Sequence, residues 1–448
     1  MSQTLENLSH AMLDAARAAG ADASDAIAVD GTSISIDVRA GALEHAERSE
    51  GIDIGLRVFV GKRSAIVSSS DTKPATLSEM AERAVAMARE APEDPHSGLA
   101  DPDQLATDLD STPLEMCDPG DEPAADTLQA EAVRAEAAAL ANPNVSQVQS
   151  ASAGYSRRFV HLAASNGFSA GYARSDHGIS CVAISGEGTG MERDYDYDNR
   201  IFHSDLRDAE EIGRIAAERA TARAGARKPK TGAYPVMFDE RIASSLIGHL
   251  LQAVNGAVIA RGSGWLRSAL GEQVLPAHLS VDENPHRRRT SGSRMFDAEG
   301  LPTSKRAIVA DGVLQGWTLD LANARKLGMQ STANAARSTA SGPSPHMTNV
   351  ALTQGDKTQA ELIADMGTGL LITSMIGSTI NPNTGDYSRG ASGFWVENGE
   401  ITFPVNECTV AGNLRDMLMR ITPANDARTH LSNVVPSLLV EGLTLAGD

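Results

Sequence analysis

The run FDERIASSLIGHLLQAVNG (238–256) has the length, the apolar flanks and the closing Gly-His of a zinc-binding helix. Such a helix places two His on one face, so that both reach one Zn²⁺, with a Glu beside them as base. In the looser form, H-E-x-x-x-H, the histidines stand five residues apart. Positions 244 and 249 have that spacing, but they hold Ser244 and His249, and the base position holds Ser245. A hydroxyl is a poor zinc ligand beside imidazole and thiolate. Nor can it replace a carboxylate as base near neutral pH. Taken alone, His249 reads as a satisfied helix histidine.

Other residues have suitable types in weaker patterns. HLSVDENPH (278–286) offers His278, Asp282, Glu283 and His286 to a metal, but Pro285 breaks any helix that would align them. A structural loop is the expectation there. The adjoining Arg287, Arg288, Arg289 and Arg294 form a basic patch in an acidic chain. The patch either neutralises nearby carboxylates, the reading favoured here, or holds an acidic partner surface. GFSAG (167–171) matches the G-x-S-x-G nucleophile elbow, which needs a strand before it and a helix after it. The neighbouring Asn-Gly points to a hairpin instead, so Ser169 is a weak nucleophile candidate. GEGTG (186–190) and ARGSG (260–264) lack the lysine of a phosphate loop and read as turns or bulges. Cys117, Cys181 and Cys408 lie far apart, with no CxxC pair to suggest a zinc ribbon or a disulfide framework.

These residues must be positioned by the elements around them. An amphipathic helix is expected over 4–19, strands over 32–38, 55–61 and 63–70, and a helix over 76–90. Residues 91–126 hold eleven Asp or Glu, no Lys or Arg, and several prolines, and read as a solvated loop. A helix at 125–141, antiparallel strands within 145–203 and a helix at 205–225 complete a first α+β domain, 1–230. A basic linker (226–232) leads to a second, β-rich domain, 231–448. It opens with a strand at 234–238 and the helix described above. Asp311-Gly312 and Asn398-Gly399 sit between apolar runs as tight hairpin turns, and a further helix is expected at 358–367. No regular βαβ alternation suggests a parallel sheet. The fold class is therefore α+β with mostly antiparallel sheet.

The 448 residues are 41% apolar and 22% charged, a globular composition, and the formal net charge is -19. That balance argues for a soluble protein and against a general nucleic-acid surface. No stretch is apolar for long enough to span a membrane, and the N-terminus does not read as a secretory signal. A reducing cytoplasm is the expected compartment.

The run GDYSRGASGFWVENGEI (385–401), with NARKLGM (323–329) and DGVLQGW (311–317), closely resembles the PmbA/TldE branch of the TldD/PmbA family. The resemblance extends over nearly the whole chain. It implies an N-terminal α+β domain followed by a C-terminal domain of curved antiparallel sheet. TldD-like members carry the H-E-x-x-x-H zinc helix and a Cys ligand near the C-terminus. PmbA/TldE-like members generally lack both and partner TldD. The pair is a cytoplasmic peptidase acting on unfolded peptides and on leader peptides of peptide natural products. An older label ties the family to modulation of DNA gyrase.

On that resemblance Ser244 stands at the first His, Ser245 at the Glu and His249 at the second His. The C-terminal ligand would fall in RTHLSNVVPSLL (428–439), which has no cysteine; Cys408 lies earlier. The expectation is a non-catalytic, metal-free subunit of a TldD/TldE-type zinc peptidase, with zinc held by the TldD-like partner. It leaves open whether this chain alone is an enzyme. Competing expectations are a self-sufficient hydrolase, through His249 with the 278–286 residues or through Ser169, and a homodimeric peptide-binding or chaperone-like protein. Asp386, Tyr387, Arg389, Phe394 and Trp395 are the candidate peptide or partner surface, since Tyr, Trp and Arg dominate interfaces.

Overall fold

The computed structural model describes residues 2–447, so the outermost residue of each expected domain, Met1 and Asp448, lies outside it. In the first half, six antiparallel strands form one sheet: β1 (Ala23–Arg39), β2 (Ala42–Val60), β3 (Arg63–Ser69), β4 (Val145–Ala164), β5 (Ser169–Ser185) and β6 (Glu192–Arg200). Their order is β3-β2-β1-β4-β5-β6. The sheet carries two helix pairs. Helices α1 (Ser2–Ala18) and α2 (Pro74–Glu90) bury Leu5, Met12, Leu77 and Met80 against Ile54, Leu56 and Val58. Helices α3 (Ala125–Leu140) and α4 (Ala209–Ala222) bury alanines against Ile34, Ile36 and Val38.

β2 is longer than the sequence suggests. ALEHAERSEG (42–51) is rich in helix formers and exposed along its length, yet it is strand. Its register with β1, Arg48 opposite Ile34 and Glu50 opposite Thr32, supplies the backbone bonds that override local preference.

Residues 91–124 form a loop, mostly exposed, but it is anchored at several points. The segment is irregular apart from two 3₁₀ turns, but Ala100, Ala106, Leu114 and Met116 are buried. It straps the two halves together. Arg325 of the second half donates to the carbonyls of Gly98 (3.1 Å) and Leu99 (2.7 Å), and Ala106 N donates to Gly300 O (2.8 Å). A few apolar residues scattered among the acids, with these backbone bonds, are what anchor it.

The second half contains three further sheets. β7 (Gly232–Phe238) leads into α5 (Glu240–Ala253) and the short α6 (Gly256–Ala260). A small sheet joins β8 (Val281–Glu283), β9 (Arg306–Ala310) and β10 (Val313–Leu314) to later strands. After α7 (Leu321–Lys326) come the two-residue β11 (Ala335–Ala336) and β12 (Ser344–Pro345), which pair with each other. Then follow β13 (Val350–Leu352), α8 (Gln359–Met366), β14 (Gly369–Ile380), β15 (Asp386–Glu397) and β16 (Glu400–Asn413). The chain ends in α9 (Leu414–Leu418), β17 (Ile421–Pro423), β18 (Asn433–Val434) and β19 (Leu438–Ala446).

The order β16-β15-β14-β7-β19-β17, with an added β16–β19 pairing, closes five strands into a barrel. Pairings are antiparallel except β7–β14 and β13–β18. The β9–β10 and β15–β16 turns have positive φ at both central residues, 49° and 80° at Asp311-Gly312 and 51° and 78° at Asn398-Gly399. Those are the left-handed conformations a two-residue hairpin turn requires. At Gly55 of β2 a Cβ would lie 2.1 Å from Thr339 O, so only glycine lets the two halves close there. Among the described residues no helix is long and apolar enough to cross a membrane.

Candidate functional site

α5 is built as the sequence pattern requires. Ala243, Leu246, Ile247, Leu250 and Ala253 form its buried face and share one core with Phe238, Ile372 and Tyr387. Asp239 caps its start, accepting from Arg241 N (3.1 Å). The Arg241 side chain then reaches Asp239 (3.0 Å) and Asp194 of β6 (2.9 Å). Asp194 also accepts from Arg223 Nε (2.7 Å), whose other nitrogens reach Ser392 and Thr373 of the barrel (2.9 and 3.0 Å). Burial opposes ionisation of Asp194, but the two guanidiniums outweigh it and hold the carboxyl below its usual range. One carboxylate thus ties α5 and the barrel to the first sheet.

Of the two serines of α5, the structure engages Ser245 within the helix itself: its Oγ donates to Ile242 O (2.7 Å). The His249 ring stands edge-on to Tyr387, 5.9 Å between centroids at 70°. Its Nε2 is buried without a hydrogen-bond partner, and burial, with Arg389 adding to it, lowers its pKa. Cys408 donates to Ala391 O (3.2 Å), and burial pushes its thiol up to about 11. Among the described residues no three His, Cys, Asp or Glu side chains are grouped to hold a metal. Hydroxyls and one lone imidazole do not fit zinc.

The other candidates are engaged elsewhere. Glu283 is buried, accepting from Arg306 Nε (2.7 Å), Asn334 (2.8 Å), and Thr348 N and Oγ1 (2.7 and 2.9 Å). His286 Nε2 pairs with Thr303 Oγ1 (3.0 Å), and His278 is exposed. Residues 281–283, with Asp282 between two buried neighbours, are strand rather than the expected loop. Within the arginine patch, Arg288 and Arg289 bind Glu115, and Arg289 also binds Asp205 (3.0 Å). Arg287 and Arg294 instead donate to backbone carbonyls. Ser169 begins β5 directly after the Asn166-Gly167 turn, so no helix follows it and the elbow geometry is absent. Its Oγ lies 3.0 Å from His10 Nε2 at an exposed position.

The 385–401 run forms β15 and its hairpin to β16. Asp386 is exposed and accepts from Thr384 (2.7 Å) and Asn413 (3.1 Å). Arg389 donates to Gly377 O (2.7 Å) and is half-buried, as is Phe394. Tyr387 and Trp395 are 2% and 5% exposed, inside the barrel core. Of these five residues, Asp386 is thus exposed, Arg389 and Phe394 are half-buried, and Tyr387 and Trp395 are interior.

The structure adds a feature that no sequence pattern marked. Beside the exposed flank of α5 lies a cavity of about 590 Å³, lined in part by Gly248, Gln252, Arg174, Arg294, Ser432 and Asn433. Ser432 and Asn433 come from the stretch where the resemblance would place the C-terminal ligand. Arg174 comes from the first half. Only the tertiary fold brings these segments together.

Fold and site together define the class: an α+β protein whose closed barrel packs against a helix that carries Ser244, Ser245 and His249. Models of PmbA/TldA metallopeptidases match three stretches, domain 1 over 24–88, the central domain over 118–224 and the C-terminal domain over 231–447. The chain is 35% identical to Metalloprotease PmbA of Escherichia coli O157:H7 over 419 residues, 93% of this chain and 90% of that one. It is 35% identical to the Metalloprotease PmbA homolog of Haemophilus influenzae over 439 residues, 97% and 94% of the two chains. A solved Bacteroides thetaiotaomicron protein, whose name ties it to modulation of DNA gyrase, superposes with a TM-score of 0.91. It is 27% identical, with 99% and 98% of the chains covered. TldE from Thermococcus kodakarensis shares the fold, with a TM-score of 0.85 at 20% identity over 98% and 100% of the chains. The chain belongs to the PmbA/TldD metallopeptidase family, on its PmbA/TldE side.

Proposed function

We propose that this chain is the metal-free subunit of a cytoplasmic, heteromeric zinc peptidase of the TldD/TldE type, acting on unfolded and leader peptides. The observation that carries the reading is α5. On the resemblance it stands where TldD-like members carry the zinc helix, and it holds Ser244 and Ser245 there, with Ser245 already spent on a helix carbonyl. A TldD-like partner would supply the zinc, the activated water and the base. This chain would supply part of the peptide channel and a sheet edge that an extended peptide can join as a strand. Such pairing reads main chain rather than sequence, which suits varied unfolded substrates. The exposed Asp386 and the half-buried Arg389 and Phe394 are the residues of the 385–401 run offered to a peptide or the partner, with Tyr387 and Trp395 bracing them from within.

The test measures zinc content and cleavage of an unfolded peptide, first for this chain alone and then with a TldD-like partner. The expected result is no stoichiometric zinc and no cleavage alone, and cleavage with the partner. Zinc and activity in the isolated chain would overturn the reading. Peptide binding with no partner complex would favour a homodimeric binding protein.

A further inference from the structure

We propose that the cavity beside α5 is a carboxylate-binding site, in which Arg174 and Arg294 receive the C-terminal carboxylate of a peptide. This rests on the peptide-handling role proposed above and adds to it a ligand group and the residues that read it.

Charge supplies the first argument. The chain has 58 acidic and 39 basic residues, yet no Asp or Glu lines this cavity, while two arginines and His346 do. The second argument is the arginines' own partners. Arg174 donates to Ser291 O (2.6 Å) and Ser293 O. Arg294 donates to Ala335 O (2.9 Å) and His346 O (3.1 Å), and its Nε is buried without a partner. Among the described residues neither forms an ion pair. By contrast, the buried Arg57, Arg223, Arg241, Arg306 and Arg337 each meet a carboxylate. Burial lowers the pKa of Arg174 and of Arg294; for Arg294 the pull of Asp297 and Glu283, neither of them paired with it, offsets only part of that effect.

Carbonyls fix the planes of the two guanidiniums without supplying a carboxylate to either. Such an arrangement suits an incoming anion, because guanidinium–carboxylate bonds are strong and little side-chain order remains to be imposed. There is also room. A Cβ built on Gly248, in the middle of α5, would meet nothing within 4 Å. Tyr172, Leu251 and Met347 give the same cavity an apolar side for the last side chain of a peptide, and Ser291 and Asn433 add polar groups.

The experiment is fluorescence anisotropy with three labelled, unstructured peptides of one sequence. One ends in a free carboxylate, one in an amide, and the third is the amide with a Glu near its end. Each is titrated into this chain alone and into its complex with a TldD-like partner. Amidation is expected to weaken binding about tenfold, the scale of one charge-assisted contact. Arg174→Gln should abolish the difference between acid and amide. Gly248→Leu should do the same by filling the cavity without touching either arginine. Thermal melts matching the parent chain show that both variants fold. Equal binding of acid and amide, a difference that survives both variants, or no binding of any peptide would overturn the site. Tight binding of the Glu-bearing amide would overturn the assignment to the C-terminus in favour of an acidic side chain. Carboxylate-dependent binding without zinc-dependent cleavage in the complex would sink the subunit reading alone, and cleavage without carboxylate dependence would sink the cavity alone.

Discussion

At position 249 an imidazole is enclosed with Nε2 unpartnered, against the edge of Tyr387. A buried polar group left unsatisfied costs about 1–3 kcal/mol, and an apolar replacement of similar shape removes that cost. His249→Leu is therefore expected to leave the melting temperature unchanged or raised. It should also leave peptide cleavage by the complex with a TldD-like partner unaltered; loss of cleavage with folding intact would show that the residue works in the site. The pH dependence has a definite sign. Burial lowers the folded pKa of His249 below 6.5, so the unfolded chain takes up the proton first. Its contribution is fully present above 6.5 and drains away as pH falls through the folded value. Denaturation midpoints at neutral pH and about one unit below 6.5 should differ less in His249→Leu than in the parent chain.

The helix carrying that residue is held by a charge clamp rather than by its cap alone. Asp194, 4% exposed, faces Arg223 and Arg241, whose side chains are each 7% exposed. Removing one partner of a buried ion pair strands the rest, at about 3–5 kcal/mol. Asp194→Ala should lose stability on that scale in chemical denaturation, and a loss below 1 kcal/mol would mean that the clamp is dispensable. Two turns further along the same helix, Gly248 sits mid-helix beside open space. Gly248→Ala should stabilise by about 1 kcal/mol, since the helix gains propensity without a clash. A lower melting temperature would show that the glycine serves close approach instead.

Across the whole molecule, the junction of the halves holds an acid pair, Asp297 buried and Glu299 half-buried. Asp297 accepts from the amides of Glu299 (2.9 Å), Leu301 (3.1 Å) and Ala335 (3.0 Å), and Glu299 accepts from Leu321 N (2.8 Å). Asp25 and Arg57 of the first sheet and Arg337 of the second half border the same space. Burial, with Asp297 beside it, pushes the Glu299 carboxyl up to about 8 against the pull of Arg57. The folded state thus keeps a proton that the unfolded chain releases near 4.5. This contribution is complete below 4.5 and is lost as pH rises through about 8. Glu299→Gln, which stays neutral, should flatten the decline in unfolding free energy between pH 6 and 9. An unchanged slope would place the proton elsewhere.

The residue types alone determined much of this protein. The apolar period of α5, its two serines, the Asp-Gly and Asn-Gly hairpin turns and the 385–401 run are local features, and local periodicity or turn chemistry decides them. Other features depended on partners distant in the chain. ALEHAERSEG became strand because β1 offered it a backbone ladder. The acidic segment became a strap because Arg325 and Gly300 bind its backbone. Tyr387 and Trp395 turned inward because the barrel closed around them. Arg174, Gly248, Arg294 and Ser432 lie in four separate segments, and no spacing links them. Their common cavity, and the two arginines within it that pair with no carboxylate among the described residues, arise only when the two halves pack, because a cavity is bounded by surfaces that the chain order keeps apart.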